Sequence, residues 1–380
     1  MYCWVAYDIS SNRLRLRVSK ACRRIGLLRY QKSVFLGQVG REELRTLEQE
    51  WRLQLAPTDK LAVLQSERFQ SLTDVASLGT LLGVTEKVLL QHAEKPQYQS
   101  FYIPKPGGQK RFIQHPATGL KLIQQQLNRS LQAVYHGIRP DCAHGFLLSP
   151  ADDPRPRNIY TNALAHCKSE WFLNVDLQDF FHTVTLTQLR NLFRHLLFFP
   201  PALTNALTGL TALQGRLPMG APTSPALSNL VCLLLDHQMQ ALADQARAIY
   251  TRYADDLTFS FAGPPPAEFL EQVRDVILFQ SFKINEAKLR LQPRLEQPEI
   301  TGLVIGRGPL PTLSKAWLRR LKEEVRILRW LLSEAVRERG IFHAYVFDRF
   351  RQSVRGQVEF VGFVLGKEDR MYRKLVGKVG

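Results

Sequence analysis

The chain has 380 residues, 45% of them hydrophobic, with a formal net charge of +17 and a pI near 9.9. That length and apolar content suit two or three domains with true cores and exclude a disordered polar chain. The charge is an electrostatic footprint for polyanions: residues 1 to 40 carry eight Lys or Arg against one acid, and residues 313 to 380 carry sixteen against eight. No apolar run approaches the roughly 20 residues of a membrane span, and the apolar start lacks a basic n-region before Asp8. Cys3, Cys22, Cys142, Cys167 and Cys232 show no Cys-x-x-Cys spacing, so neither a zinc site nor a disulfide framework is expected. A soluble, cytoplasmic protein without a membrane partner follows as the expectation.

In chain order, Tyr2 to Ile9 reads as an apolar strand carrying Asp8 near its end. Asn12 to Ile25 reads as an amphipathic helix with Leu14, Val18, Ala21 and Ile25 on one face and Arg13, Arg17, Lys20 and Arg24 on another. A strand through Ser33–Gly37, a helix over Glu42–Leu55 and a short strand at Leu61–Leu64 complete a β-α-β-α-β order, which suggests a small ferredoxin-like unit of the βαββαβ class. Val5-Ala6-Tyr7-Asp8-Ile9-Ser10, the basic helix and Tyr30-Gln31-Lys32-Ser33-Val34-Phe35-Leu36-Gly37 resemble the small CRISPR-adaptation family called Cas two, over residues 1–66. The resemblance implies a homodimer that bridges copies of a Cas-one-like integrase and lies along duplex DNA. Asp8 matches an aspartate implicated in a metal-dependent nuclease activity that not all members show, so scaffold and nuclease roles both stand open for this unit.

Further along, Ile103 to Ile113 forms a basic hairpin pattern, and Ser149 to Asn158 is a loop rich in Pro and Asp. Trp171-Phe172-Leu173-Asn174-Val175-Asp176 is an apolar strand ending in an acid. Tyr253-Ala254-Asp255-Asp256 sets two carboxylates at a hairpin tip between flanks that alternate in polarity, as two half-buried strands should. A turn chosen for stability alone would favour Asn-Gly or Asp-Gly. Adjacent carboxylates there imply a cation, and with Asp176 they suit magnesium and phosphoryl transfer. Lys315 to Leu332 carries Trp317, Leu321, Val325, Leu328 and Leu332 on one stripe, with arginines around it.

From about Ser71 onward the motifs stand in the order of the reverse transcriptases, and the chain resembles their bacterial retron-type branch. The matching segments are Ile103–Ile113, Asn174–Phe181, Leu217-Pro218-Met219-Gly220-Ala221-Pro222-Thr223-Ser224-Pro225, Tyr253–Asp256 and Phe282-Lys283-Ile284-Asn285-Glu286-Ala287-Lys288. The resemblance implies an α+β chain: the ferredoxin-like unit (1–66), then a right-hand polymerase with fingers and a ferredoxin-like palm (67–312) and a basic helical thumb (313–380). It implies Asp176, Asp255 and Asp256 as catalytic and metal-binding residues, with Mg2+ as the cofactor and Mn2+ as an alternative. Lys105 and Arg111 would hold the triphosphate, Phe181 would exclude a ribose 2′-hydroxyl, Gly220 would lie at the nucleotide, and Lys288 would protonate pyrophosphate. RNA and DNA template-primer and deoxynucleoside triphosphates are the implied substrates.

Met219 stands where the family usually has Gln, which removes one polar contact to the nucleotide, and His182 replaces a common Pro without an evident role. Asn162-Ala163-Leu164-Ala165-His166 and Ile300-Thr301-Gly302 match retron-type elements that go with recognition of a cognate structured RNA. The expected function is an RNA-directed DNA polymerase fused to a CRISPR-adaptation subunit, making or completing DNA for spacers. The alternatives are a retron-type defence enzyme that makes a branched RNA-DNA product, and a noncatalytic nucleic-acid scaffold.

Overall fold

The computed structural model describes residues 69–104, 108, 110–147, 156–333 and 344–379, together with Lys20, Cys22 and four N-terminal strands. These strands are β1 (Tyr2–Tyr7), β2 (Leu28–Gln31), β3 (Val34–Gln38) and β4 (Leu61–Val63). They pair antiparallel in the order β2-β3-β1-β4. The sequence pattern separates only one strand between the two predicted helices, whereas β2 and β3 form two, with Leu28 opposite Leu36 and Arg29 opposite Phe35 before a register shift brings Gln31 opposite Val34. Asp8, Lys105 and both predicted N-terminal helices lie outside the described residues, except that Cys22 is fully buried.

Beyond residue 69 the elements follow their local signals. Helix α1 (Val75–Leu82) starts on an Asp74–Ser77 capping box and stops at Gly83, whose φ of 71° an L side chain would resist. Helix α2 (Glu86–Glu94) starts on Thr85. Strands β5 (Tyr98–Pro104) and β6 (Lys110–Pro116) form a separate hairpin. Helix α3 (Thr118–Ile138) buries Leu120, Ile123, Leu127, Leu131, Val134 and Ile138 at helical spacing, and each such side chain contributes about 1.5–3 kcal/mol. Helix α4 (Ile159–Ala165) begins on an Asn158–Thr161 capping box.

The central sheet contains β7 (Trp171–Asp176), β8 (Ile249–Tyr253), β9 (Asp256–Phe261) and β10 (Arg290–Pro293), all antiparallel in the order β10-β7-β9-β8. After helices α5 (Phe180–Thr183), α6 (Leu186–Asn191), α7 (Pro201–Thr211) and α8 (Ser224–Val231) come α9 (Leu233–Gln245) and α10 (Phe269–Phe279), and Leu173, Val175, Leu257, Phe259 and Tyr250 point into the main core beside these last two. The opposite face carries Asn174, Asp176, Thr251, Asp256, Thr258 and Ser260. β8 and β9 are not half-buried strands as their alternation predicts, because Thr251, Thr258 and Ser260 are buried too. His166, the C-cap of α4, covers them: its Nδ1 lies 2.7 Å from Ser260 Oγ and its Nε2 2.7 Å from Thr251 Oγ1. Hydroxyls in this sequence thus mark an interior hydrogen-bonded layer, since buried polar groups need partners.

A second core joins the C-terminal helices α11 (Lys315–Leu332), α12 (Ala344–Leu365) and α13 (Arg370–Val379) to Ala163, Cys167 and Phe172. Leu321, Val325 and Leu328 of the predicted stripe are buried, while Trp317 and Leu332 pack at its margin. The result is a mixed α/β protein whose central sheet turns Asn174, Asp176 and Asp256 toward an open cleft. Among the described residues no helix is long and apolar enough to cross a membrane.

Candidate active site

Asp176, the last residue of β7, lies directly opposite Asp256, the first residue of β9, so both side chains share the polar face. Asp255 occupies the two-residue turn between β8 and β9, and its carbonyl accepts from Leu177 N at 2.9 Å, which ties the turn to the end of β7. Three carboxyl groups therefore meet at one edge of the sheet. Burial raises the Asp255 carboxyl above its ordinary range, with the Asp176 charge adding to the effect. Asp256 is pushed up to about 7 by burial and then by the charges of Asp255 and Asp176.

The segment after the hairpin clamps Asp176 from the other side. Asn285 N donates to Asp176 O at 2.8 Å, Asn285 Nδ2 donates to Oδ1 at 3.1 Å, and Lys288 Nζ donates to Oδ2 at 2.7 Å. Hydrogen bonding to Asp176 raises the Lys288 ammonium above its ordinary range. Asn285, to which the sequence motif assigns no role, is thus a direct partner of the central carboxylate. Its position three residues before Lys288 was the only signal available.

A cleft of about 500 Å3 opens on these groups, lined by Asp176, Tyr253, Asp256, Lys288 and Arg290 and, on its far wall, by Ile159 and Thr301. Thr301 Oγ1, in one of the retron-type elements, donates at 3.2 Å to Ile159 O at the start of α4, the helix that carries the other, while Asn174 Nδ2 donates to Glu299 O at 3.0 Å. Arg111 on β6 is near enough to the turn for its cation to act on Asp255. Asp255, Gly220 and Phe181 lie outside the lining of this cleft. Gly220 adopts φ 123° against β6, where a Cβ would come within 2.9 Å of Gln114 O, and the preceding Met219 O accepts from Gln114 N at 2.7 Å. Phe181 is half-buried, with ring centroids 5.5 Å from Phe180 and 5.7 Å from Phe146. His182 has a structural partner after all, with Nε2 3.2 Å from Gln114 Oε1.

The donor set fits divalent ions. Three carboxyl groups crowd together, two with proton affinity raised by burial and mutual repulsion, and an ammonium already answers the charge of the third. Among the described residues no group of three or more His, Cys, Asp or Glu is drawn tightly enough to hold an ion unaided. An open site of this kind draws its remaining ligands from phosphate oxygens and water.

Carboxylates at a strand end and an adjacent hairpin turn, on an antiparallel sheet beside a basic hairpin, define a nucleotidyl-transfer type of site. The chain belongs to the reverse transcriptase (RNA-dependent DNA polymerase) family, whose profile matches residues 103–306. Residues 1–71 match the profile of CRISPR associated protein Cas2. It is 34% identical over 238 residues to the retron Mx162 reverse transcriptase of Myxococcus xanthus, covering 55% of this chain and 47% of that one. The retron Ec86 reverse transcriptase of Escherichia coli is 32% identical over 238 residues, covering 60% and 69%. The CRISPR-associated endoribonuclease Cas2 of Korarchaeum cryptofilum is 40% identical over 60 residues, covering 16% and 64%. The chain thus spans about half the length of the Mx162 enzyme. Reverse transcriptases and Cas2 endoribonucleases generally use divalent metal ions.

Proposed function

We propose that this chain is an RNA-directed DNA polymerase whose N-terminal unit attaches it to a CRISPR-adaptation complex, where it makes or completes DNA for new spacers. The carrying observation is the register of Asp176 against Asp256 with Asp255 in the adjoining turn. In the reaction a primer 3′-oxygen bonds to the α-phosphorus of a deoxynucleoside triphosphate, the bond to the β-phosphate oxygen breaks, and pyrophosphate leaves. Asp176 and Asp255 hold Mg2+, or Mn2+ in its stead, and Asp256 shares the site. When bound, the metal ions acidify the attacking hydroxyl and neutralise charge on the leaving group.

Arg111, with Lys105, orients the triphosphate through charge-assisted hydrogen bonds. Phe181 excludes a 2′-hydroxyl, Gly220 lets backbone approach the nucleotide, and Lys288 protonates pyrophosphate once released from Asp176. Residues 1–66 form the adaptation module, 67–312 the fingers and palm, and 313–380 the thumb. The strand order β2-β3-β1-β4 is what a ferredoxin-like βαββαβ chain produces, which supports a dimerising module that docks a Cas-one-like integrase. Asp8 is the candidate metal ligand of that module.

Extension of oligo(dT) on poly(rA) in Mg2+ tests the assignment. The full chain should extend the primer, and Asp255→Ala should reduce extension at least about a thousandfold with melting and duplex binding unchanged. Extension by Asp255→Ala at the parent rate would sink it.

The Thr301–Ile159 contact supports a second reading, because it ties the Ile300-Thr301-Gly302 element to the helix that carries Asn162–Ala165, and in retron-type enzymes both elements go with structured-RNA recognition. Sequencing every strand that copurifies from the native host separates the two. One RNA joined to a defined complementary DNA means a retron; diverse short duplexes recovered with an integrase mean an adaptation enzyme.

A further inference from the structure

The bulkiest wholly buried side chain among the described residues is a charged one. Arg252 lies on β8 one residue before Tyr253 and has no exposed surface. Its Nε and Nη2 donate to Asp236 Oδ1 and Oδ2 at 2.7 and 2.6 Å, and Asp236 is equally buried. Its Nη1 reaches the turn instead, donating to Ala254 O at 3.1 Å and to Asn229 Oδ1 at 3.0 Å. Asn229 Nδ2 then donates to Gly145 O at 3.0 Å. Gly145 supports the turn so closely that a Cβ there would lie 2.5 Å from Ala254 N. From the sheet edge, Arg252 N donates to Cys142 O and His144 N donates to Arg252 O, both at 2.8 Å.

An ion pair this deep is a poor way to fill a core, since an apolar pair of similar volume is often as stable or more so. What the apolar pair lacks is a donor for Ala254 O. Ala254 has φ 59°, a left-handed conformation that its Cβ disfavours, and the turn contains no glycine to adopt it freely. The rigid guanidinium fork can hold a carboxylate on one side and a backbone carbonyl on the other, which a lysine cannot do.

We infer that Arg252 is a positioning residue: locked by Asp236, its guanidinium fixes the Ala254 carbonyl and so the direction in which Asp255 and Asp256 present their carboxylates. The inference rests on the polymerase assignment above. It adds a device outside the cleft, since neither Arg252 nor Asp236 lines that cavity.

Two variants of the full chain test it. Arg252→Lys keeps a cation beside Asp236 but loses the second arm to Ala254, and Arg252→Met combined with Asp236→Leu removes both charges together. Each is measured for melting, for nucleotide KM and kcat in primer extension, for the Mg2+ concentration giving half-maximal rate, and for amide exchange across residues 253–257 in metal-free protein. Folded variants should lose about 10–100-fold in kcat, as misplacement by about 1 Å does, with nucleotide KM little changed. The Mg2+ requirement should rise severalfold, and faster exchange should be confined to the turn. Parental kcat, Mg2+ requirement and turn exchange in a folded variant overturn the inference and leave the pair purely structural. Should the double variant fail to fold, Arg252→Lys decides alone. If the parent itself extends no primer, the polymerase assignment fails, and turn exchange decides the positioning role by itself.

Discussion

Lys288 places its ammonium 2.7 Å from Asp176 Oδ2, in the cleft where the proposed metal site lies. The lysine side chain is 60% exposed and the aspartate 7%, so a flexible surface cation balances a nearly buried anion. A metal ion bound by Asp176 competes with that contact.

Lys288→Met should therefore lower the Mg2+ concentration for half-maximal primer extension. The attraction is screened at so exposed a lysine, so the shift should be modest, about two- to fivefold. Maximal rate should fall at the same time if Lys288 protonates pyrophosphate. Magnesium titrations of both proteins at saturating nucleotide measure the two effects separately, and an unchanged midpoint refutes the competition.

Asp256 carries a pH signature in the metal-free protein. Its folded proton affinity is raised to about 7 from an ordinary 3.8, so its contribution to stability is full below about pH 4 and lost as pH rises through 7. Asp256→Asn removes that dependence. In EDTA the variant should match the parent near pH 4 and melt higher at pH 8, by a modest margin because Asp256 is exposed and solvent screens its repulsion from Asp176 and Asp255. A gap that narrows with rising pH contradicts the assignment.

His166 and His144 act in the opposite sense. Burial pushes both imidazoles down to about 3 from an ordinary 6.5, and the Arg157 cation adds to the effect at His144. Each binds a proton more readily unfolded than folded, so the stability it supports is full above about pH 6.5 and falls as pH drops toward 3. The slope is roughly 1.4 kcal/mol per pH unit for each histidine across that window. His166→Gln should flatten its share of the acid limb. It should also cost about 1–3 kcal/mol at pH 7.5 by leaving Ser260 and Thr251 with poorer partners. Denaturant melts across pH 4 to 8 resolve both terms.

Gly220 joins the basic hairpin to the central domain, and its φ of 123° leaves no room for a side chain before Gln114 O. Gly220→Ala should cost about 1–3 kcal/mol through strain and displacement of β6. If the loop also positions nucleotide, KM for deoxynucleotides should rise more than kcat falls. A variant with parental melting temperature and KM argues that the loop yields freely.

Much of the molecule was readable in linear order because its signals are local. The stripe through Leu321, Val325 and Leu328 and the acid at the end of Trp171–Asp176 each depend on neighbours a few residues away. The motif series placed Asp176, Asp255 and Lys288 in one functional set; Asp176 and Lys288 line the cleft, and Asp255, in the adjoining turn, is close enough to feel both charges. β2 escaped notice because four residues beside a second short strand give too little periodicity to separate.

Other features depended on pairings that no local pattern encodes. Asp236 and Arg252 look like surface charges in a helix and a strand, yet sixteen residues apart they form the most buried ion pair described. Thr251, Thr258 and Ser260 look like the solvent face of a half-buried sheet until His166 covers that face. The sequence by itself determined the chemistry on offer: carboxylates, a basic hairpin and an ordered set of motifs. The tertiary structure alone decided that Asp256 faces Asp176, that Asn285 and Lys288 clamp it, and that Arg252 holds the turn, because strand register and polar burial arise only when distant segments pack and leave each buried group to find a partner.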